Sequence, residues 1–479
     1  MKELSLLKKH IGYSYISRVI NLLIVPIQVS ILTKNIKTDI YGILVLLQSS
    51  FMMFTFFATL GIQKFISIKI PGKLKYTQYV YFKSLLVLEM ILYVFFSFFL
   101  VIFNENILKL LDIEEYKKEL FLFLLVYFFS LLYNEFGRFL NYRKKITTRV
   151  VLGIFEKIME LFFLIFVIKM LHKNDIFHIA ITYLVLYVLL TIIYSKYSLN
   201  YSIFFDVKIK KIILKKAILF SLPLLVSDIS WRLMQNIDFY FLSGMHMKKE
   251  LGIYAFIVKL LNYIYLAGSP IIWVMYPYVT SAFNQKHKIN KKVKFFIQKQ
   301  FNFSFLFLTF SMGILLTNLE FFVLLLSKQE FLNFKKAYYL YAMYPILLTI
   351  MYIQQQILLL KGKTIFIGLI YFLGLCLNIF LNFLLVKVLN MYGIIIGTII
   401  SILFIVFIQQ KDNILINFKT IIFPFLVLFL IYLIKFYLIN NIILLNVMFF
   451  IIFILFAFFF KVIRIKDIKI IQNKLISKG

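Results

Sequence analysis

Apolar stretches long enough to cross a bilayer recur along the whole chain, separated by short polar connections. A nineteen-residue window places them near residues 11–33, 41–63, 79–103, 119–141, 149–170, 177–197, 216–242, 253–281, 297–318, 337–360, 364–387, 391–410, 420–438 and 442–462. About twenty apolar residues in helical form cross roughly 30 Å of hydrocarbon, and the lipid interior obliges each backbone amide to find its partner within its own segment. The pattern therefore predicts an all-α polytopic membrane protein with about 14 transmembrane helices. The connections run to about 20 residues at most, too short to fold a soluble domain. Residues 11–33 carry Arg18 and lack a small-residue cleavage site, so they read as the first span and not as a signal peptide.

Composition agrees with lipid as the solvent: 62% of the 479 residues are hydrophobic, with 58 Phe and 31 Tyr. Cys376 is the single cysteine, which excludes an intramolecular disulfide. The formal net charge of +33 raises the question of nucleic-acid binding. Its distribution answers that question. Counted with the adjoining helix ends, the termini and the connections after even-numbered spans hold more than twice the Lys and Arg of the remaining connections. Arg143, Lys144, Lys145, Lys210, Lys211, Lys291 and Lys292 lie on the rich side, and the acids Asp112, Glu114 and Glu115 on the poor side. By the positive-inside rule both termini are cytoplasmic, and membrane lipids, not nucleic acid, are the expected partners of the basic excess.

The chain also repeats. Ser17-Arg18 on span 1 and Ser230-Trp231-Arg232 on span 7 are each followed by a short loop and a helix that starts at Tyr41-Gly42-Ile43 or at Tyr254-Ala255-Phe256. Val167-Ile168-Lys169-Met170-Leu171 and Leu385-Val386-Lys387-Val388-Leu389 close spans 5 and 11 at a similar offset. Six helices per repeat is an even number, so the halves share one orientation about an axis along the membrane normal. The expected layout is a six-helix lobe at 1–212, a second at 213–412 around a central cleft, and two extra helices with a basic cytoplasmic tail at 413–479.

Charges inside spans are costly and seldom face lipid, which makes them the best pointers to a site. On span 1, Ser14, Ser17, Arg18, Asn21 and Gln28 form one polar stripe. Span 7 carries Asp228, Arg232, Gln235 and Asp238 on one face, with Asp228 and Arg232 spaced to pair with each other. Lys259 and Asn262 mark a face of span 8. On span 5, Glu156 and Glu160 share a face and Lys157 can reach Glu160; Glu89 and Glu135 are the acids of spans 3 and 4. Lys83, near a helix end, is expected to snorkel to the headgroups.

Enzyme signatures are scarce. Gly362-Lys363-Thr364 has the ending of a phosphate-binding loop, but Ile357 stands where the first glycine belongs and both flanks are apolar helix, so it reads as a turn. The five histidines show no metal-binding spacing, and no resident cofactor is expected.

Three motif groups carry a family resemblance. They are Asn236-Ile237-Asp238 with Gly252-Ile253-Tyr254-Ala255, Lys259 and Pro270 through Pro277; Arg18 through Pro26 to Tyr41-Gly42 and Leu60-Gly61; and Gly362-Lys363, Asn378-x3-Asn382 and Gly393-x3-Gly397. Together they resemble polysaccharide flippases of the multidrug/oligosaccharidyl-lipid/polysaccharide exporter superfamily. The resemblance implies a non-enzymatic, alternating-access flippase of the bacterial cytoplasmic membrane. Its substrate would be undecaprenyl-diphosphate-linked oligosaccharide for O-antigen, capsule or a similar polymer, and polysaccharide polymerase and chain-length proteins would be candidate partners.

A diphosphate with many hydroxyls needs a wet, cationic path, for which Arg18, Arg232 and Lys259, with Asn21 and Gln235, are the expected substrate contacts. The alternative is that these cations only pair with Asp228 and Asp238. Similarity to lipid II flippases suggests a sodium site at Asp238, Asn378, Asn382 and Thr398, in which Asn382 replaces an acid. Protons carried by Asp238, Glu89, Glu156 or Glu160 are the competing coupling route. Two other functions remain in play: a cation-coupled multidrug exporter of the same superfamily, and a membrane glycosyltransferase or polymerase using the same lipid carrier.

Overall fold

The computed structural model describes residues 20, 23–59, 62, 74–143, 145–173, 175–284, 291–411, 418–438, 441–460 and 462. A helix stands at each of the fourteen apolar stretches. The first seven are α1 (23–35), α2 (Thr38–Thr59), α3 (Lys75–Ile102), α4 (Lys117–Tyr142), α5 (Ile146–Ile165), α6 (Ile176–Ser198) and α7 (Lys211–Gly244). The second seven are α8 (Lys248–Asn284), α9 (Lys291–Thr317), α10 (Met343–Leu360), α11 (Thr364–Leu389), α12 (Met391–Lys411), α13 (Phe418–Leu433) and α14 (Ile442–Phe459). Single π-helical turns, Phe166–Met170 and Ile434–Leu438, extend α5 and α13. Eight helices are long and apolar enough to span a bilayer by length and composition alone over their described residues.

Local chemistry sets the helix ends. Asp175 caps α6 by accepting the His178 amide at 2.8 Å, and Asn441 caps α14 by accepting the Ile443 amide at 2.9 Å. Gly362 closes α10 at φ +71, a left-handed conformation that suits a residue without a Cβ, and α11 begins two residues later. The Gly362-Lys363-Thr364 segment is thus the turn expected from its flanks.

The chain divides into two compact units, Met1–Ala255 and Phe256–Gly479. In the N-terminal unit α4 packs along α6, α5 leans on α6, and α2 is flanked by α3, α4 and α7. In the C-terminal unit α11 and α12 form an antiparallel pair, α10 lies on α12, and α9 carries α13 and α14. Close approach needs small residues: a Cβ on Gly313 of α9 would lie 2.2 Å from the Phe449 ring of α14.

Within each unit the connections segregate as alternating spans require. At one end of the N-terminal unit, Arg143 after α4 donates from Nη1 to the Tyr79 hydroxyl at 2.9 Å and to the Ser198 carbonyl at 2.8 Å. At the other end, Asp112 after α3 meets His246 Nδ1 at 2.8 Å and Lys248 Nζ at 3.3 Å, both after α7. In the C-terminal unit, Asn318 after α9 and Asn446 of α14 exchange amide hydrogen bonds of 2.9 and 3.0 Å. Lys83 of α3 finds backbone partners. Its Nζ donates to the carbonyls of Val207 at 2.8 Å and Phe205 at 3.1 Å, so the connection after α6 engages this ammonium.

Candidate substrate and coupling site

Among the described residues, every buried charged side chain lies in the N-terminal unit: Glu89, Glu135, Glu156 and Asp238. The C-terminal unit buries Gln300, Gln354, Asn378, Asn382, Thr398 and other amides and hydroxyls in their place.

The densest charge cluster is built on α5. Arg149, Gly153, Glu156 and Glu160 follow one another at helical spacing, so one stripe runs from the first turn to the middle of the span. Tyr194 of α6 donates to Glu156 Oε2 at 3.1 Å and Tyr133 of α4 to Oε1 at 3.4 Å. Arg149 hydrogen-bonds the Tyr194 hydroxyl, stands 5.0 Å from that ring, and lies 3.7 Å from Glu156. Gly137 of α4 leaves it room, since a Cβ there would sit 2.8 Å from Arg149 Nε. Lys157 bonds Glu160 at 2.6 Å, the pairing its spacing predicts, and reaches Glu156 at 3.8 Å. Both cations keep 26% of their side chains exposed. Sequence reasoning found the acids and Lys157 but missed Arg149, Tyr133 and Tyr194; the spacing from Arg149 to Glu160 was the available signal.

On α3 and α4, Arg138 forms an ion pair with buried Glu135. Glu89 is fully buried within electrostatic reach of both, and neither of its carboxylate oxygens has a hydrogen-bond partner among the described residues.

Asp238 of α7 is buried and accepts a hydrogen bond from the Tyr254 hydroxyl of α8, inside the same unit. Along α7, Asp228 and Arg232 are half-buried and Gln235 is exposed; Lys259 of α8 is half-buried. Arg18 and Asn21 lie outside the described residues. An apolar cavity of about 430 Å³ opens beside α7, lined by Phe51, Phe54, Leu111, Ile237 and Tyr240 among others.

The C-terminal unit brings three expected residues together. Asn378 Nδ2 donates to Thr398 Oγ1 at 3.1 Å, and Asn382 Nδ2 approaches Asn378 Oδ1 at 3.5 Å. Gly397 opens the space, because a Cβ there would lie 2.5 Å from Asn382 Oδ1. These residues supply neutral oxygens, a donor set that fits a weakly held monovalent cation better than a divalent one.

This all-α architecture is that of a multi-pass membrane protein, and solved structures of membrane transporters share the fold. The structure of lipid II flippase MurJ in an inward closed conformation matches it with a TM-score of 0.65 at 14% identity, covering 94% of this chain and 98% of that one. An inward-facing multidrug resistance MATE family transporter matches with a TM-score of 0.68 at 14% identity, covering 82% and 93%. A Pyrococcus furiosus transporter of the same MOP superfamily, described as having a binding pocket of reversed polarity, matches at 0.58 and 12% identity, covering 85% and 95%. No curated protein matches the chain. The model of the family described as polysaccharide biosynthesis protein matches residues 7–283, more than half of the chain. The chain belongs to that family.

Proposed function

We propose that this protein is a flippase that carries undecaprenyl-diphosphate-linked oligosaccharide across the bacterial cytoplasmic membrane for surface-polysaccharide assembly. The observation that carries the reading is the set of partly exposed cations on membrane-spanning helices: Arg138, Arg149 and Lys157, whose side chains are 35%, 26% and 26% exposed, with Arg232 and Lys259 half-buried. A cation within a span is tolerated where it faces water or an anion. Arginine forks suit phosphate oxygens, and an apolar cavity beside α7 suits a prenyl chain. The family membership points to the same biology.

Transport needs no catalysis by the chain, and coupling comes from a cation gradient. Asp238, Glu89, Glu156 and Glu160 are the proton carriers in this reading, because a carboxylate in a dry interior is tolerated when a proton or cation neutralises it. Asn378, Asn382 and Thr398 are the candidate sodium ligands. Polysaccharide polymerase and chain-length proteins would act on the delivered substrate.

A second reading, a cation-coupled multidrug exporter, is favoured by the buried carboxylates, which suit cationic solutes, and by the MATE-like fold. Expression in a bacterium lacking its polysaccharide flippase separates the two. Restored surface polymer, with loss of the lipid-linked oligosaccharide that accumulates on the inner leaflet, is the expected result. Altered drug susceptibility without restored polymer would replace this reading with the second.

A further inference from the structure

The C-terminal unit carries a second polar site, away from the amide set, where the connections after α9 and α13 meet. A cavity of about 320 Å³ is lined by Leu319, Glu320, Lys335, Tyr339, Lys435, Phe436 and Ile442. Lys335 bonds Glu320 at 2.8 Å. The Tyr339 ring packs on Phe436 at 5.3 Å while its hydroxyl donates to the Leu316 carbonyl at 2.8 Å, which fixes the cavity floor. Lys435 and Phe436 both sit on the π-helical turn that ends α13, an irregularity that re-aims side chains and is frequent at functional positions.

Two lysines and one carboxylate leave the cavity net positive. Lys335, through its hydrogen bond, holds the Glu320 carboxyl below the usual range against the opposing effect of partial burial, and the charges of Lys335 and Lys435 act in the same direction. Large exposed apolar side chains stand on the same two helices as the cavity lining: Phe321 is 61% exposed and Ile443 is 74% exposed. A basic notch at a helix end, bordered by apolar surface that would otherwise face hydrocarbon, has the layout of a lipid headgroup seat.

We propose that this cavity binds the phosphate of a membrane phospholipid, with Lys335 and Lys435 on the phosphate oxygens and Glu320 accepting from a headgroup hydroxyl or ammonium. The acyl chains run along Phe321 and Ile443. The lipid ties the ends of α9, α13 and α14 to one leaflet and is not the transported substrate, so the site stands whichever solute the protein carries.

The test is native mass spectrometry of the purified, delipidated full chain with added phosphatidylglycerol, with diacylglycerol of the same tails, and with inorganic phosphate as competitor. Wild type is expected to retain one phosphatidylglycerol, and the Lys335→Gln/Lys435→Gln double variant about tenfold less. Diacylglycerol should not be retained, and inorganic phosphate should not displace the phospholipid. Glu320→Gln leaves both lysines in place and is expected to retain at least as much lipid as wild type. Equal retention by the double variant and wild type overturns the proposal, and so does equal retention of diacylglycerol. Displacement by inorganic phosphate would reassign the cavity to a soluble anion, and a loss in Glu320→Gln matching the double variant would reduce it to a fragile fold element.

Discussion

Gly42 and Gly252 meet backbone to backbone: a Cβ on Gly42 would stand 2.6 Å from the Gly252 nitrogen, and one on Gly252 would stand 2.0 Å from the Thr38 carbonyl oxygen. Gly42 belongs to the repeat motif Tyr41-Gly42-Ile43 and Gly252 to the resemblance motif Gly252-Ile253-Tyr254-Ala255, and they meet at the end where the connections after α1, α3 and α7 gather. No side-chain rotation relieves a clash with backbone. Gly252→Ala is therefore expected to destabilise the protein by about 1–3 kcal/mol, seen as a lower unfolding temperature in detergent. Wild-type stability would mean that the two segments are not this close in the membrane.

A second prediction concerns Arg149. Replacing it with Ala leaves Glu156 with its two tyrosine donors but with a weakened cationic field. Because Arg149 is a quarter exposed, the expected cost is about 1–3 kcal/mol, less than for a fully buried pair. Adding Glu156→Gln should recover part of that loss, and a double-mutant cycle on thermal unfolding reads the coupling. Additive effects would place the two side chains out of contact.

The third tests the Asp112 contact. The hydrogen bond from His246 lowers the Asp112 carboxyl below its ordinary 3.8; burial opposes the shift and Lys248 adds to it. A depressed folded-state value means stability that is present above the unfolded value and lost as pH falls through the folded one. The difference in unfolding temperature between wild type and Asp112→Asn should hold at neutral pH and shrink as the pH falls below 3.8. A difference that grows in acid would refute the assignment.

The spans were legible because lipid imposes one regular element per crossing, and the α11 stretch read as 364–387 is found as Thr364–Leu389. Pairs within one helix were legible too, as with Lys157 and Glu160. Arg149 was not, because the apolar window began at that residue and made it look like a boundary cation, while its partners lie on α4 and α6. The partners of Lys83 were not legible for a related reason: they are backbone carbonyls of the connection after α6, which leave no trace in side-chain patterning.

Asp238 gives the fourth prediction. Asp238→Asn keeps the size of the side chain and can still pair with Tyr254, so stability should change little while transport in vesicles loses its dependence on the imposed gradient. If sodium is the driving ion, Asn378→Ala should impair transport comparably. If a proton is, only pH should matter. Normal gradient dependence in Asp238→Asn would make the residue a structural partner of Tyr254.

Topology is the fifth. After exposed Cys376 is replaced by Ser, a cysteine introduced at Glu114 is expected to react with an impermeant reagent in intact cells, and one at Lys363 only after lysis. The reverse pattern would invert the orientation.

The uneven distribution of buried acids between the two compact units has a consequence for recombining them. Among the described residues the buried carboxylic acids belong to the unit Met1–Ala255, while the buried polar side chains of Phe256–Gly479 are amides and hydroxyls, which carry no charge across the physiological range. A hybrid joining the first unit to the matching C-terminal segment of a relative would bring every one of these buried carboxylates into the new context, whichever ion the borrowed segment prefers.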